Sequence, residues 1–311
     1  MNENNNNKKK NIIEKNIIIK NYIYIFISSQ LSLIILLTIN IPLKIKFIYL
    51  ILILISFLLL FSFKSFFFRL KEYLTMLILL TTFSTFLIDI TKTLIYNKNN
   101  IYYQIEIYLI SLCIYHISEY INSLIYHFNK LDWSCYLIDQ SWEWFLALFL
   151  SIIEYFIEIF FFINFKTKTY IIFNIGMFFI IIGHFLRISA LFTCKTNFEY
   201  LVQYTRQKGH KLVKNGVYKI FRHPSYVGFY LWAVGTQIMM CNIICIVGFI
   251  VALYVFFKER IEEEEIYLVA FFGEEYLNYR KETFGFFKVE LNEKDVEIAL
   301  KNFEEKYKNK Y

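Results

Sequence analysis

Apolar runs about as long as a membrane is thick, broken by short clusters of charge, recur along most of this chain. A membrane-crossing helix needs about 20 predominantly apolar residues, within roughly 17 to 25. Eight stretches meet or approach that length: 22–41, 45–63, 73–90, 101–125, 142–165, 170–192, 226–240 and 243–257. The last two are short and only Cys241 and Asn242 separate them, so they read as a tight hairpin rather than two full crossings. The pattern predicts an all-α, polytopic membrane bundle of about eight transmembrane helices. The boundaries follow: an Asn/Lys-rich disordered tail over 1–20, six spans over 21–192, a core with hairpin and cytosolic helix over 193–290, and a cytosolic tail over 291–311.

Composition supports the membrane class. The chain has 311 residues, of which 57% are hydrophobic and 19% charged, against about 25% charged in an average soluble domain. With the N-terminus on one side and alternating spans, 26 of the 33 Lys and Arg fall on that side and 6 on the other, Arg187 lying within a span. By the positive-inside rule both termini are cytosolic, as are the segment 193–222 and everything after Phe257. The net charge of +7 is then membrane-surface bias and gives no argument for nucleic acid. The five cysteines form no CxxC pair and no metal-like spacing with histidine, so no metal site is expected.

Several ionisable residues sit inside spans, where they are costly and tend to mark function. His116 and Glu119 share a helix face in YHISEY, as do Glu154 and Glu158 in SIIEYFIEIF and His184 and Arg187 in GHFLR. Pairing among them to glue spans together is one reading. A second, for Arg187, is bidentate recognition of a carboxylate on a lipid-like substrate.

Two blocks flank the terminal hairpin. In FRHPSYVGFY, Arg222 and His223 precede Pro224, which suits the first position of a helix. The free N–H groups of that helix start can hold a carboxylate. Gly228 and Gly235, seven apart, allow another backbone to approach. Past the hairpin, Arg260, Glu264, Glu265, Leu268, Phe272, Gly273 and Tyr276 follow the pattern R-x-x-x-E-E-x-x-L-x-x-x-F-G-x-x-Y.

At HKLVKNGVYKIFRHPSYVGFYLWAVGTQIMMCN and FFKERIEEEEIYLVAFFGEEYLNY the chain closely resembles the isoprenylcysteine carboxyl methyltransferases, membrane enzymes of the endoplasmic reticulum. YHISEY, the G-x-x-x-R of GHFLR and Asn197-Phe198 echo the same family, whereas His184 stands where the family usually carries an acidic residue. The resemblance implies methyl transfer from S-adenosylmethionine to the C-terminal carboxylate of a prenylated cysteine, with prenylated CaaX proteins such as small GTPases as partners, at the lipid bilayer of the endoplasmic reticulum. It implies a C-terminal cytosolic cofactor pocket lined by Gln203, His210, Leu212, Val213, Gly216, Val217, Tyr218, His223, Pro224 and Tyr226. Glu264 or Glu265 is expected to meet the cofactor's amino or ribose groups, and Arg222 with the helix start at Pro224 to hold its carboxylate. Arg187 and Arg260 are the candidates for orienting the substrate carboxylate, completing with Glu264 the expected catalytic set.

Similar RHP and EE blocks occur in membrane phospholipid N-methyltransferases, and sterol reductases resemble the hairpin. A non-enzymatic membrane scaffold held together by charged pairs is the remaining alternative. A histidine-box oxygenase is disfavoured, because the five histidines never form HxxxH or HxxHH.

Overall fold

In the computed structural model the described residues are 72–86 (without 73 and 85), 102–206 and 209–301 (without 295 and 299). The two predicted spans at 22–41 and 45–63, both termini and part of the third span lie outside them. The described residues form helices and short 3-10 turns, with one isolated bridge between Phe221 and Phe284.

The chain divides into two units, Met1–Trp144 and Phe145–Tyr311. In the first, α1 (Leu74–Ser84) and α2 (Tyr103–Tyr126) share a core of Met76, Leu79, Cys113, Tyr120 and Leu124 with Trp133 and Tyr136 from the following loop. That loop is folded back by local bonds. Asp132 Oδ1 accepts from Ser134 N at 2.7 Å, capping the turn Trp133–Tyr136. The Tyr136 ring then stacks on Tyr120 at 4.0 Å. His116 Nδ1 donates to Tyr136 O at 2.8 Å, so its buried ring closes this loop.

The second unit holds α3 (Trp142–Thr167), which begins at the end of the first, then α4 (Tyr170–Cys194), α5 (Pro224–Met240), α6 (Ile243–Phe272) and α7 (Glu274–Glu282). Among the described residues, α3 and α4 are the two helices long and apolar enough to cross a membrane. Their outer faces are bare apolar surface, with Phe160 80% exposed and Ile171 74%. A band of that size is what lipid covers and water does not.

The tightest packing joins α4 to α5. A Cβ on Gly176 would collide with the Met239 backbone, on Gly183 with Trp232, and on Gly228 with the Arg187 backbone. Glycines spaced seven apart on both helices therefore bring the two backbones together, where dispersion contacts replace the hydrophobic drive that lipid removes.

Two helix ends fix the hairpin. Cys241 closes α5 in a left-handed conformation, φ 55°. The first N–H groups of α6 are capped from α3: Glu154 accepts from Ile244 N at 2.6 Å and Cys245 N at 2.8 Å, and Glu158 from Ile243 N at 3.3 Å. These orphan donors would otherwise be unsatisfied in an apolar setting. Past a break in helical geometry at Phe162, the buried Lys166 pairs with Glu158 at 2.5 Å and donates to Met240 O and Asn242 Oδ1. Lys166, counted from sequence among the six charges between spans on the second side, is only 2% exposed.

One element differs from expectation. The eighth apolar stretch ends at Phe257, but α6 runs unbroken for 30 residues, Ile243–Phe272, about 45 Å at 1.5 Å per residue. The glutamate run lies on the same rigid rod as the hairpin's second arm, rather than on a separate cytosolic helix. The change of composition at Lys258 does not mark a helix end.

Candidate active site

The site is built where α5 begins and α6 passes its midpoint. Pro224 presets the backbone of the first turn of α5 and lacks the N–H that would go unpaired there. His223, at the N-cap, is thereby aimed across at α6. Its Nε2 lies 3.2 Å from Glu265 Oε1 and its Nδ1 3.9 Å from Glu264 Oε1. One turn into α5, the Tyr226 ring stacks on His223 at 5.8 Å and on Phe257 at 5.2 Å. The Tyr226 hydroxyl donates to Glu264 Oε2 at 2.7 Å and accepts from Arg260 Nε at 3.2 Å. Arg260 Nη2 donates to Tyr200 O at 2.6 Å, tying the loop after α4 to α6.

The two adjacent glutamates have different surroundings. Glu265 is fully buried; Arg222 Nε lies 2.9 Å from one oxygen and Arg280 Nε 2.8 Å from the other. Burial works to raise its pKa, but His223, Arg222 and Arg280 outweigh burial and hold it down to about 2. The Glu264 side chain is 30% exposed. Burial also opposes the charge on Arg260, but Tyr226, Glu264 and Glu263 more than offset it, so the guanidinium stays ionised.

The remaining predicted residues make contacts of their own. His210 sets its ring against Phe272 at 5.4 Å and Phe271 at 6.3 Å. Burial lowers its pKa, and Arg206 adds to the effect. Leu212 packs with Val269, Tyr276 and Tyr279, while Val213 and Tyr218 pack on Leu191, Cys194 and Phe198. Gly216, φ 58°, opens the turn Gly216–Lys219 in a conformation that favours glycine. Within that turn Val217 O accepts from Phe221 N at 3.1 Å, and Tyr218 O accepts from Tyr279 OH at 2.7 Å. Gln203 Nε2 donates to Leu201 O within its own loop. A cleft of about 640 Å³ reaches Leu212, Val213 and Gly216 from the side of Thr193 and Asn197.

Arg187 and Arg260, paired in expectation, occupy different places. Arg260 joins the net directly. Arg187 lies buried in the α4–α5 contact, its Nη1 2.5 Å from Ser225 Oγ, two residues past His223. Arg222 bonds to Glu265 and donates to Arg280 O at 3.0 Å.

Four participants escaped sequence reasoning. Phe257 read as the last apolar residue of a span, Arg206 and Arg280 only as charges on the cytosolic side, and Tyr200 was given no role. Arg280 is the one with a usable signal: on a helix following Gly273 it can fold back onto Glu265, fifteen residues earlier.

A helical membrane-type protein with a cluster of carboxylates, arginines and aromatic rings at the open end of a hairpin is the class that this fold and site define. The model of the isoprenylcysteine carboxyl methyltransferase family matches residues 175–270. The human protein-S-isoprenylcysteine O-methyltransferase is 41% identical over 174 residues, covering 56% of this chain and 61% of the human protein. That of Dictyostelium discoideum is 42% identical over 175 residues, 56% and 73% of the two chains, and protein B of Arabidopsis thaliana 43% over 171, 55% and 85%. A solved structure described as the eukaryotic intramembrane Ras methyltransferase matches with a TM-score of 0.72 at 28% identity, over 87% of this chain and 98% of that one. The chain belongs to the isoprenylcysteine carboxyl methyltransferase family and is embedded in a membrane. Its matched part spans 60% of the Xenopus laevis relative and 61% of the human one.

Proposed function

We propose that this protein methylates the C-terminal carboxylate of prenylated cysteine in CaaX-processed proteins, small GTPases among them, using S-adenosylmethionine. The observation that carries the reading is the convergence of His223, Tyr226, Arg260 and Glu264 at the root of the hairpin, in a chain of this family.

The donor set suits S-adenosylmethionine. Glu264, partly exposed beside aromatic rings, offers a carboxylate to hydroxyl, amino or cationic groups, and Leu212 and Val213 offer an apolar wall. Bound there, the cofactor supplies an electrophilic methyl group, whose bond to sulfur breaks as a bond to a substrate carboxylate oxygen forms. Such a carboxylate, with an unperturbed pKa near 3.5, is ionised at neutral pH, so no general base is needed. What the chain must supply is orientation and exclusion of water, and holding the reactants correctly is worth up to about 7 to 11 kcal/mol. Arg260, fixed by Tyr200 O and Tyr226 OH, is suited to orient the incoming carboxylate. Arg187 supports the same end of α5 through Ser225. Glu265 holds His223, Arg222 and Arg280 in place and leaves Glu264 to face the ligand.

The surroundings proposed are the endoplasmic reticulum membrane, about eight spans, both termini cytosolic and the pocket on the cytosolic side. The prenyl chain enters sideways from the bilayer. The test is to incubate purified full-length protein with methyl-labelled S-adenosylmethionine and acetyl-farnesylcysteine. Base-labile label in the farnesyl product is the expected result. Base-stable label on a phospholipid points to N-methylation instead, and absence of transfer removes the reading.

A further inference from the structure

Beyond α7 the chain does not leave the molecule. Residues 284–289 turn back as an extended strap against the root of the hairpin. Phe284 pairs with Phe221 in the isolated parallel bridge, with Phe284 N donating to Ile220 O at 2.9 Å and Arg222 N to Phe284 O at 3.3 Å. Arg280 Nη2 donates to Val289 O at 2.7 Å while its Nε holds Glu265. Gly285 lies flat against the Arg222 guanidinium, and a Cβ there would collide with it. Phe287, 2% exposed, inserts between the hairpin arms, its ring 5.6 Å from Tyr230 and from Tyr254 and 5.5 Å from Phe257.

Three of these contacts lead to groups of the site. Phe287 backs Phe257, which stacks on Tyr226, which stacks on His223. Gly285 leaves the room that Arg222 needs to reach Glu265. The bridge at Phe284 fixes the backbone of Arg222, immediately before the His223 cap. An anchor serving only to hold down the chain end would need apolar burial alone. This one also supports both the aromatic stack and the ion-pair cluster. The strap lies past residue 270, where the match to the family model ends.

We infer that the strap is a positioning element of the active site: Phe287 and Gly285 act through Phe257 and Arg222 to set where Tyr226, His223 and Glu264 stand. The consequence for turnover rests on the methyl-transfer reading, whereas the consequence for geometry does not.

The experiment compares the full-length protein with Phe287→Ala, Phe287→Leu and Gly285→Ala, and with Ile298→Ala, an exposed residue further along, as control. Two quantities are read: hydrogen exchange at the amides of 223–227 and 237–245, and the initial methylation rate per folded molecule. For Phe287→Ala, exchange at 223–227 rises about tenfold while 237–245 stays unchanged. Its kcat/KM falls about 100-fold, mainly through kcat, as for a misplacement near 1 Å. Phe287→Leu recovers most of both effects. Gly285→Ala, which displaces Arg222 without opening a cavity and so keeps the proposal testable if Phe287→Ala does not fold, moves both quantities in the same direction. Wild-type exchange and wild-type rate per folded molecule in Phe287→Ala and Gly285→Ala would overturn the proposal. So would a rate loss that tracks only the amount of folded protein. If the wild type itself transfers no methyl group, the functional reading fails and exchange alone decides the strap.

Discussion

The hairpin of α5 and α6 carries a buried cluster of charged and polar groups at each end, made of much the same residue types. At the tip, Glu154, Glu158 and Lys166 meet Asn242 and the backbone; at the root, Glu264, Glu265, Arg222, Arg260 and Arg280 meet His223 and Tyr226. The tip is closed. Both oxygens of Glu154 accept backbone N–H groups, Lys166 is only 2% exposed, and Asn242, fully buried, donates to Ser151 O and Gln237 Oε1. The root is closed only in part. Glu265 is saturated, but its neighbour Glu264 keeps an open side, next to an arginine and stacked rings. Ionisable residues buried at membrane depth are commonly read as functional. Here the same chemistry gives a closed clamp at one end and a partly open cluster, the proposed reactive site, at the other, and the difference lies in whether the donors and acceptors are all spent.

Perturbing each end separates the two roles. The largest effect on stability is expected at the tip. Lys166→Met leaves Glu158 buried without its partner and costs about 3 to 5 kcal/mol, the usual penalty for breaking a buried pair. Adding Glu158→Gln restores much of that loss, and methylation per folded molecule stays near wild type in both. Thermal unfolding in detergent, with activity normalised to folded protein, checks it. At the root the largest effect is on rate: Arg260→Ala lowers kcat/KM about 100-fold, roughly 2.7 kcal/mol, while insertion and unfolding temperature stay close to wild type. Full activity in that variant would take Arg260 out of the mechanism.

A pH experiment sharpens the contrast within the root. Glu265 has a folded-state pKa depressed to about 2 from an ordinary 4.5. Its contribution to stability is therefore complete above the unfolded pKa and is lost as pH falls from about 4.5 towards 2. That contribution is on the order of 3 kcal/mol. Acid unfolding of Glu265→Gln should be flatter across this window than that of the wild type. The smallest expected effect is Glu263→Gln, which removes the charge from the exposed acceptor of Tyr204 OH and shifts stability by less than about 1 kcal/mol.

The legible parts of the molecule are those where lipid imposes a one-dimensional rule. The long apolar runs gave the limits of α2, α3 and α4 to within two residues, and Pro224 marked the start of α5. Gly228 and Gly235 announced a close helix contact, which Gly176 and Gly183 meet from the other side. The Arg-His-Pro and Glu-Glu blocks, each with a bland explanation when taken alone, meet in the fold where His223 lies against Glu264 and Glu265. What remained hidden depends on the fold in three dimensions. Local text does not distinguish Glu264 from Glu265; the burial of one and the exposure of the other follow from which face of α6 meets Arg222 and Arg280. Lys166 looked like a loop charge because its acceptors, Met240 O and Asn242, lie more than seventy residues away. Phe287 sits in a run of aromatic residues so common in this chain that its burial carries no signal in sequence.

The most direct measurement is equilibrium binding of S-adenosylmethionine to the wild type, Glu264→Gln and Lys166→Met, each purified in full length and scored per folded molecule. The expected result is an affinity at least about tenfold weaker for Glu264→Gln and unchanged for Lys166→Met. Wild-type affinity in Glu264→Gln, or a loss confined to Lys166→Met, would contradict the assignment of the cofactor pocket to the root of the hairpin.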